Sequence, residues 1–176
     1  MKVYLIRHSE PTYQQVTTAG LTGFGRELGS LTDRGIMLAQ QCAQQPLFAQ
    51  VQLILSSPYT RALQTALEIV RFNDIPLKVE LGLHEWLPDN TGSRTDTDEQ
   101  AALAYKLYRQ HAGERNTASS RPYESAAEIK ARVLATLNKY AASYDYIACV
   151  THGEVMRQFG DQKDVDYCGV RVITVD

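Results

Sequence analysis

Three short, predominantly apolar runs most constrain what this chain folds into: Val3–Ile6, Val51–Leu55 and Tyr146–Val150. A strand with one wet face alternates apolar and polar side chains, whereas a strand apolar at nearly every position is buried on both faces. Such strands belong to parallel sheets covered by helices on each side. The segments between these runs carry helical patterns, so the alternation predicts an α/β three-layer sandwich with a mostly parallel central sheet. Leu77–Leu81 reads as a further strand, and Val170–Val175 as a closing one.

The helix signals are local and chemical. Thr32 reads as the N-cap of a helix ending near Gln45, with Pro46 as its stop. In Ser57-Pro58, serine is read as a cap and proline as the first helical residue, ahead of the apolar face Ala62, Ala66, Ile69 and Val70. Ser125 and Glu128 have capping-box spacing and open a helix with the stripe Ile129, Val133, Leu137 and Tyr140. Another helix is expected from about Asp96 to His111. Two polar segments break the rhythm: Gln14–Ser30, and Leu87–Thr95 together with Gly113–Pro122. Long loops of this kind are binding loops or plain surface connections.

Bulk properties exclude several classes. The chain has 176 residues, 44% hydrophobic and 22% charged, which suits one domain over 1–176. A net charge of -2 gives no drive towards nucleic acid or an anionic membrane. No apolar run approaches the roughly 18 residues that span a bilayer, and the first residues do not read as a signal peptide. Cys42, Cys149 and Cys168 fit neither a disulfide framework nor a zinc pattern. A cytoplasmic protein is expected.

The chemistry collects at the ends of the apolar runs. His8 follows the first and His152, before Gly153, follows the third. In open α/β sheets, ligands bind outside the carboxyl ends of the strands, so both imidazoles should face one crevice. Arg7 precedes His8. Arg61 falls in the first turn of its helix, where a cation opposes the macrodipole and invites a bound anion. Guanidinium forks match phosphate oxygens in pairs. Nearby arginines should also keep His8 neutral and nucleophilic. Glu85, after the strand-like stretch Leu77–Leu81, is the candidate proton donor, and Glu80 reads as a solvated side chain.

With these pieces assembled, the sequence resembles the histidine phosphatase superfamily, the phosphoglycerate-mutase-like fold. "LIRHSEPT" is similar to its strand followed by Arg-His-Gly-Glu. "SSPYTRALQTA" is similar to its Ser-Ser-x-x-x-Arg-Ala-x-Gln-Thr-Ala signature. "LTDRGIMLAQ", "LHEW", "YESAAEIKARV" and "VTHGEVMR" follow in family order. The resemblance implies catalytic His8, Glu85 and His152, and a phosphate site of Arg7, Arg61, Gln14, Ser9 and Gly153. His8 becomes phosphohistidine. Arg7, Arg61 and His152 hold phosphoryl oxygens, and Glu85 protonates the leaving oxygen. No metal or other cofactor is implied. The implied substrate is a phosphorylated small molecule or a phosphoprotein, and no nucleic-acid or membrane partner is expected.

Ser9 stands where the family has glycine, and Gln14 where it has asparagine. A negative φ at Ser9 is expected, with its hydroxyl on the phosphate or on a neighbouring backbone group. Three other readings stay open: a phosphoglycerate-type mutase, a silenced phosphate-binding module, and a metal site of His8, His152, His84 and Glu85. Tyr13, Phe24 and Trp86 are candidates for stacking on a substrate.

Overall fold

Val3–Ile6 are buried alternately on opposite faces of the first strand, which is why that run carries no charged residue. The computed structural model describes residues 1–93, 96–115, 122–161 and 163–176. In chain order the elements are β1 (Lys2–Arg7), β2 (Pro11–Thr12), α1 (Gln14–Thr18), β3 (Ser30–Leu31), α2 (Asp33–Ala43), β4 (Leu53–Ser56), α3 (Thr60–Asn73), β5 (Leu77–Val79), α4 (Asp98–Gln110), α5 (Ala126–Asn138), β6 (Tyr146–Thr151), α6 (Gly153–Arg157) and β7 (Val170–Thr174). The main sheet has the order β5-β4-β6-β1-β7. Its pairings are parallel except that of β1 with β7. The α/β architecture with a mostly parallel sheet is the one expected from the apolar runs.

The core has two halves, one on each side of the sheet. Val3, Leu5, Leu53, Leu55, Ile147 and Cys149 join Ile129, Val133 and Leu137 of α5 on one side. Tyr4, Ile6, Ile54, Ala148 and Val150 meet Cys42 and Ala43 of α2 and Ala62, Ala66 and Ile69 of α3 on the other. Truncating a fully buried side chain such as Leu5 to alanine should cost about 2–5 kcal/mol. The three cysteines are buried and form no disulfide. Among the described residues, no helix is long and apolar enough to cross a membrane.

The caps mostly follow the sequence. Thr32 Oγ1 accepts from the Gly35 amide at 2.8 Å, and Ser125 with Glu128 closes a capping box at α5. Gly35 is obligatory at its position, because a Cβ there would collide with the carbonyl oxygen of Glu10. Helix α2 ends at Ala43 rather than Gln45, and Pro46 opens a 3-10 turn, Pro46–Ala49, instead of merely stopping a helix.

Three expectations change. Ser57 does not cap α3, which begins at Thr60 with Tyr59 as N-cap. The Ser57 amide continues the sheet by bonding Val150 O at 2.9 Å, which delays the helix while leaving Arg61 in its first turn. The segment Gln14–Ser30 is not an open loop: it holds α1, a 3-10 turn at Gly23–Leu28, and the start of β3. Glu80 is not a freely solvated side chain. It accepts from Lys139 Nζ at 2.8 Å and from the Tyr140 hydroxyl at 2.6 Å. Within the two remaining polar segments, 94–95 and 116–121 lie outside the described residues.

Candidate active site

Strand register brings the two histidines together. β1 and β6 pair in parallel up to Arg7 and Thr151, the residues just before His8 and His152. The His8 amide extends the ladder to Thr151 O at 2.9 Å. The two rings lie edge to face with centroids 5.1 Å apart, and both are buried. Aligned carboxyl ends of neighbouring parallel strands form the crevice expected for such a sheet.

Hydrogen bonds assign the ring protons. His8 Nδ1 lies 2.7 Å from the Ser9 carbonyl oxygen. A carbonyl only accepts, so Nδ1 carries the proton and Nε2 keeps its lone pair. Arg61 Nε donates to that lone pair at 3.2 Å. Burial, then the charges of Arg61 and Arg7, lower His8 to about 3. The sequence argument for a neutral His8 rested on the arginines, and desolvation is the larger cause.

His152 is held from the neighbouring strand end. Its Nε2 is 2.7 Å from Ser57 Oγ, and that hydroxyl already accepts from the Tyr59 amide at 3.3 Å. The Ser57 hydroxyl also has a proton to give, and among the described residues His152 Nε2 is its one acceptor, which assigns the His152 proton to Nδ1. Burial, followed by the Arg61 and His8 charges, holds His152 well below the ordinary imidazole value.

Arg7 is clamped by the segment that leads into β7. Its Nη1 donates to Val165 O at 2.7 Å, and its guanidinium lies 4.5 Å from the Tyr167 ring centroid. Gly153, the first residue of α6, lies against it: a Cβ there would sit 3.7 Å from Arg7 Nε. Arg7 Nε and His152 Nδ1 are buried with no hydrogen-bond partner among the described residues. Two unsatisfied N–H donors beside the neutral imidazole of His8 are what an oxyanion would complete.

Glu85 follows the short turn Leu81–Leu83, and a buried framework positions it. Thr151 Oγ1 donates to Leu83 O at 2.9 Å. Arg132 of α5 donates to Gly82 O at 2.7 Å and Glu85 O at 3.4 Å. The same guanidinium forks onto Glu124 at 2.5 and 2.9 Å. Glu85 Oε1 accepts from the Trp86 amide at 2.8 Å. Burial nevertheless dominates and raises the carboxyl to about 7. Such a group exchanges its proton near neutral pH and is suited both to give it up and to take one back.

The structure brings together His8, Arg7, Arg61, His152, Gly153 and Glu85. It does not place two other expected residues in the same way. The Ser9 hydroxyl is committed to the Gly35 carbonyl at 2.6 Å, so it faces the protein rather than the crevice. Gln14 is exposed at the first residue of α1, and it is Tyr13 that faces Arg61, with 6.0 Å from ring centroid to guanidinium. Trp86 packs among Tyr105, Tyr108 and Tyr123 instead of offering a free stacking face. Phe24 is largely exposed. The four-ligand metal arrangement is not assembled, and among the described residues no three His, Cys, Asp or Glu side chains are grouped to hold a metal. His84 Nδ1 is instead engaged by the Glu85 carbonyl at 2.6 Å.

A model of the histidine phosphatase superfamily (branch 1) matches residues 3–162. The chain belongs to that superfamily. Solved structures of similar fold span nearly its whole length. Bacillus stearothermophilus YhfR superposes with a TM-score of 0.74 at 18% identity, covering 99% of this chain and 91% of that one. The mycobacterial glucosyl-3-phosphoglycerate phosphatase, complexed with VO3, gives 0.71 at 19% identity, with 98% and 90% covered. The phosphoserine phosphatase of Entamoeba histolytica gives 0.66 at 24% identity, with 97% and 89% covered. A search of curated proteins returned no significant match.

Several parts of this histidine phosphatase site were not read from the sequence. Ser57 has the sequence form of a helix cap, yet it orients His152. Tyr167 lies in "DVDYCGV", which has no recognisable period. Glu27 reaches the site from inside the segment Gln14–Ser30, and its Oε2 accepts from Arg61 Nη1 at 2.7 Å. Glu154 accepts from Tyr105 at 2.7 Å and pairs with Arg157 at 3.1 Å beside the Glu85 cavity.

Proposed function

We propose that this protein hydrolyses phosphomonoesters through a phosphohistidine formed on His8, with no metal ion, acting on a phosphorylated metabolite or phosphoprotein in the cytoplasm. The observation that carries the reading is the pair of buried donors without a partner among the described residues, Arg7 Nε and His152 Nδ1, beside the neutral imidazole of His8, whose Nε2 lone pair meets Arg61 Nε.

The residues divide the work as follows. Arg61 transfers its N–H from His8 Nε2 to a phosphoryl oxygen when substrate enters. The Nε2 lone pair then attacks phosphorus, and the ester P–O bond breaks with its electron pair on the leaving oxygen. Glu85, held near 7 by burial, gives that oxygen its proton. The imidazole gains positive charge, and the Ser9 carbonyl accepting from Nδ1–H stabilises it. Arg7, Arg61 and His152 meet the charge on the phosphoryl oxygens. In the second half, Glu85 takes a proton from water, the water oxygen bonds to phosphorus, and the P–N pair returns to Nε2. Positive charge from two guanidinium groups stands where other phosphatases use a metal ion, and it makes the same space unfavourable for a cation.

The test is turnover of an aryl phosphate by wild type and His8→Ala, with an acid-free quench to trap labelled phosphate on His8. Wild type should turn over and label, and His8→Ala should keep less than about 1% of the rate. Label on another residue, or a His8→Ala enzyme near the wild-type rate, overturns the reading.

A further inference from the structure

Two of the three cysteines are neighbours across the fold, and the chemistry described above uses neither. Cys42 lies in the last turn of α2, and Cys168 lies two residues before β7. The Cys42 sulfur is 3.8 Å from the Cys168 carbonyl oxygen and within hydrogen-bond reach of the Cys168 thiol. Gln45 Nε2 approaches it from the other side at 3.6 Å. The bond to Cys168, with burial adding to it, pushes the Cys42 thiol above the usual range. The same bond holds the Cys168 thiol below that range. A thiol closer to its thiolate, beside a second thiol, is the arrangement of a pair that oxidises to a disulfide. Cys149 has no such neighbour chemistry: it is fully buried on the other side of the sheet, where burial pushes its thiol up.

Cys168 stands where a new bond would be felt at Arg7. Its amide donates to Arg7 O at 3.0 Å, and Gly169 O accepts from the Arg7 amide at 3.0 Å. Tyr167 covers the Arg7 guanidinium, and Val165 O holds Arg7 Nη1. Residues 165–169 therefore clamp Arg7 by main chain and side chain together. Cys168 has φ 59°, a left-handed conformation that a Cβ disfavours and that its surroundings must hold in place. It is also the more accessible thiol, 9% exposed against 3% for Cys42. It closes a segment in which Lys163, Asp164, Asp166 and Tyr167 are exposed.

We infer that Cys42 and Cys168 are a hydroperoxide-sensitive dithiol, whose disulfide shifts the clamp on Arg7 and weakens phosphate binding. The Cys168 thiolate attacks one oxygen of the hydroperoxide and the O–O bond breaks. Cys168 becomes a sulfenic acid, and the other oxygen leaves as an alcohol, or as water from hydrogen peroxide. The Cys42 sulfur then attacks the Cys168 sulfur, the S–O bond breaks, and a water leaves. The two thiol protons end on the two departing oxygens. Two thiols are oxidised and one hydroperoxide is reduced. Bonded sulfurs lie far closer than hydrogen-bonded ones, so closure draws residue 168 towards α2 and the clamp with it. Moving a positioned group by about 1 Å costs about 10²-fold in rate. The oxidation site stands on its own geometry, and its effect at Arg7 rests on the phosphate site read above.

The test treats wild type and Cys42→Ser with hydrogen peroxide. Serine keeps a hydrogen-bond donor for the Cys168 carbonyl and removes the second sulfur. Free thiols are alkylated without reduction, and peptides are mapped by mass spectrometry. Wild type should show a Cys42–Cys168 cross-link with Cys149 free. Its affinity for inorganic phosphate, measured by calorimetry, and its kcat/KM on an aryl phosphate should each fall about tenfold or more, and dithiothreitol should restore both. Cys42→Ser should form no cross-link and show no loss that dithiothreitol reverses. Oxidation of Cys168 alone without a cross-link, or a cross-link that leaves phosphate affinity unchanged, overturns the inference. Should Cys42→Ser fail to fold, the wild-type cross-link map and the reversal by dithiothreitol decide. Absence of aryl phosphate turnover before oxidation sinks the phosphatase reading alone, and the map with phosphate affinity still decides this one.

Discussion

Ser9 and Gly35 are tied by a buried hydrogen bond of 2.6 Å from the serine hydroxyl to the glycine carbonyl oxygen. The Ser9 amide donates in turn to Thr65 Oγ1 at 2.9 Å. Ser9 is not among the residues with positive φ, so its backbone does not demand glycine. The side chain joins the exit of β1 to the start of α2, and the amide joins it to the body of α3. Ser9→Gly should therefore keep phosphatase activity within about tenfold in kcat/KM. It should lose about 1 kcal/mol of stability, from the missing hydrogen bond and the looser unfolded chain. Steady-state kinetics and denaturant melts measure the two effects. A large gain in rate on Ser9→Gly would show that serine restrains the site.

Glu85→Gln should slow alkyl phosphates far more than aryl phosphates, by about 10²–10⁴-fold against a small change, because an alkoxide needs the proton that a phenolate does not. The pH profile follows from the same carboxyl. Its value in the fold is raised from 4.5 to about 7, so the acid form is present below that pH and is lost as pH rises through it. For wild type, kcat/KM on alkyl phosphates should fall above about pH 7, and Glu85→Gln should lack that limb. Equal losses on both substrate types would assign Glu85 to binding instead.

The lowered value of His8 predicts a stability effect of opposite sense. The unfolded imidazole titrates near 6.5 and the folded one near 3. Stability from the neutral ring is thus complete above pH 6.5 and declines as pH falls towards 3. Melting temperatures should drop less steeply over this range in His8→Ala than in wild type. Parallel slopes would place the acid sensitivity on other groups, such as His152.

Ser57→Ala should lower kcat/KM without unfolding the protein. Loss of the 2.7 Å contact frees His152 to place its proton on Nε2, which removes a donor from the phosphoryl site. A tenfold to hundredfold loss is expected, about 1.4–2.8 kcal/mol, together with weaker vanadate inhibition. Substitution by threonine should restore most of it, since the hydroxyl returns.

Exhaustive treatment with EDTA should leave the aryl phosphate rate unchanged, because Arg7 and Arg61 provide the positive charge at the phosphoryl group. A loss restored by zinc or manganese would point to a metal-dependent hydrolase.

The sequence carried the strands and the site unequally. Val3–Ile6 and Tyr146–Val150 were legible because burial on both faces removes every polar position from a run. His8, Arg61 and His152 were legible because each stands one step or one turn beyond such a run. Ser57 was misread, since Ser-Pro before a helical pattern has the form of a cap, and nothing local reveals that the hydroxyl faces an imidazole 95 residues away. Glu27 and Tyr167 were not read at all. Their positions depend on how a short 3-10 turn and a patternless segment settle on the finished sheet, and no periodicity encodes that.

The parallel pairing of β1 with β6 has a kinetic consequence. It joins residues near opposite ends of the chain, Ile6 to Val150 and Arg7 to Thr151. Such long-range closure is slow compared with helix formation. Helices α2 and α3 can form and pack on each other early, yet no intermediate has the two histidines side by side until β6 docks. Recovery of catalytic competence during refolding should therefore lag behind the recovery of helical signal, making enzyme activity a selective probe of when the middle of the sheet is completed.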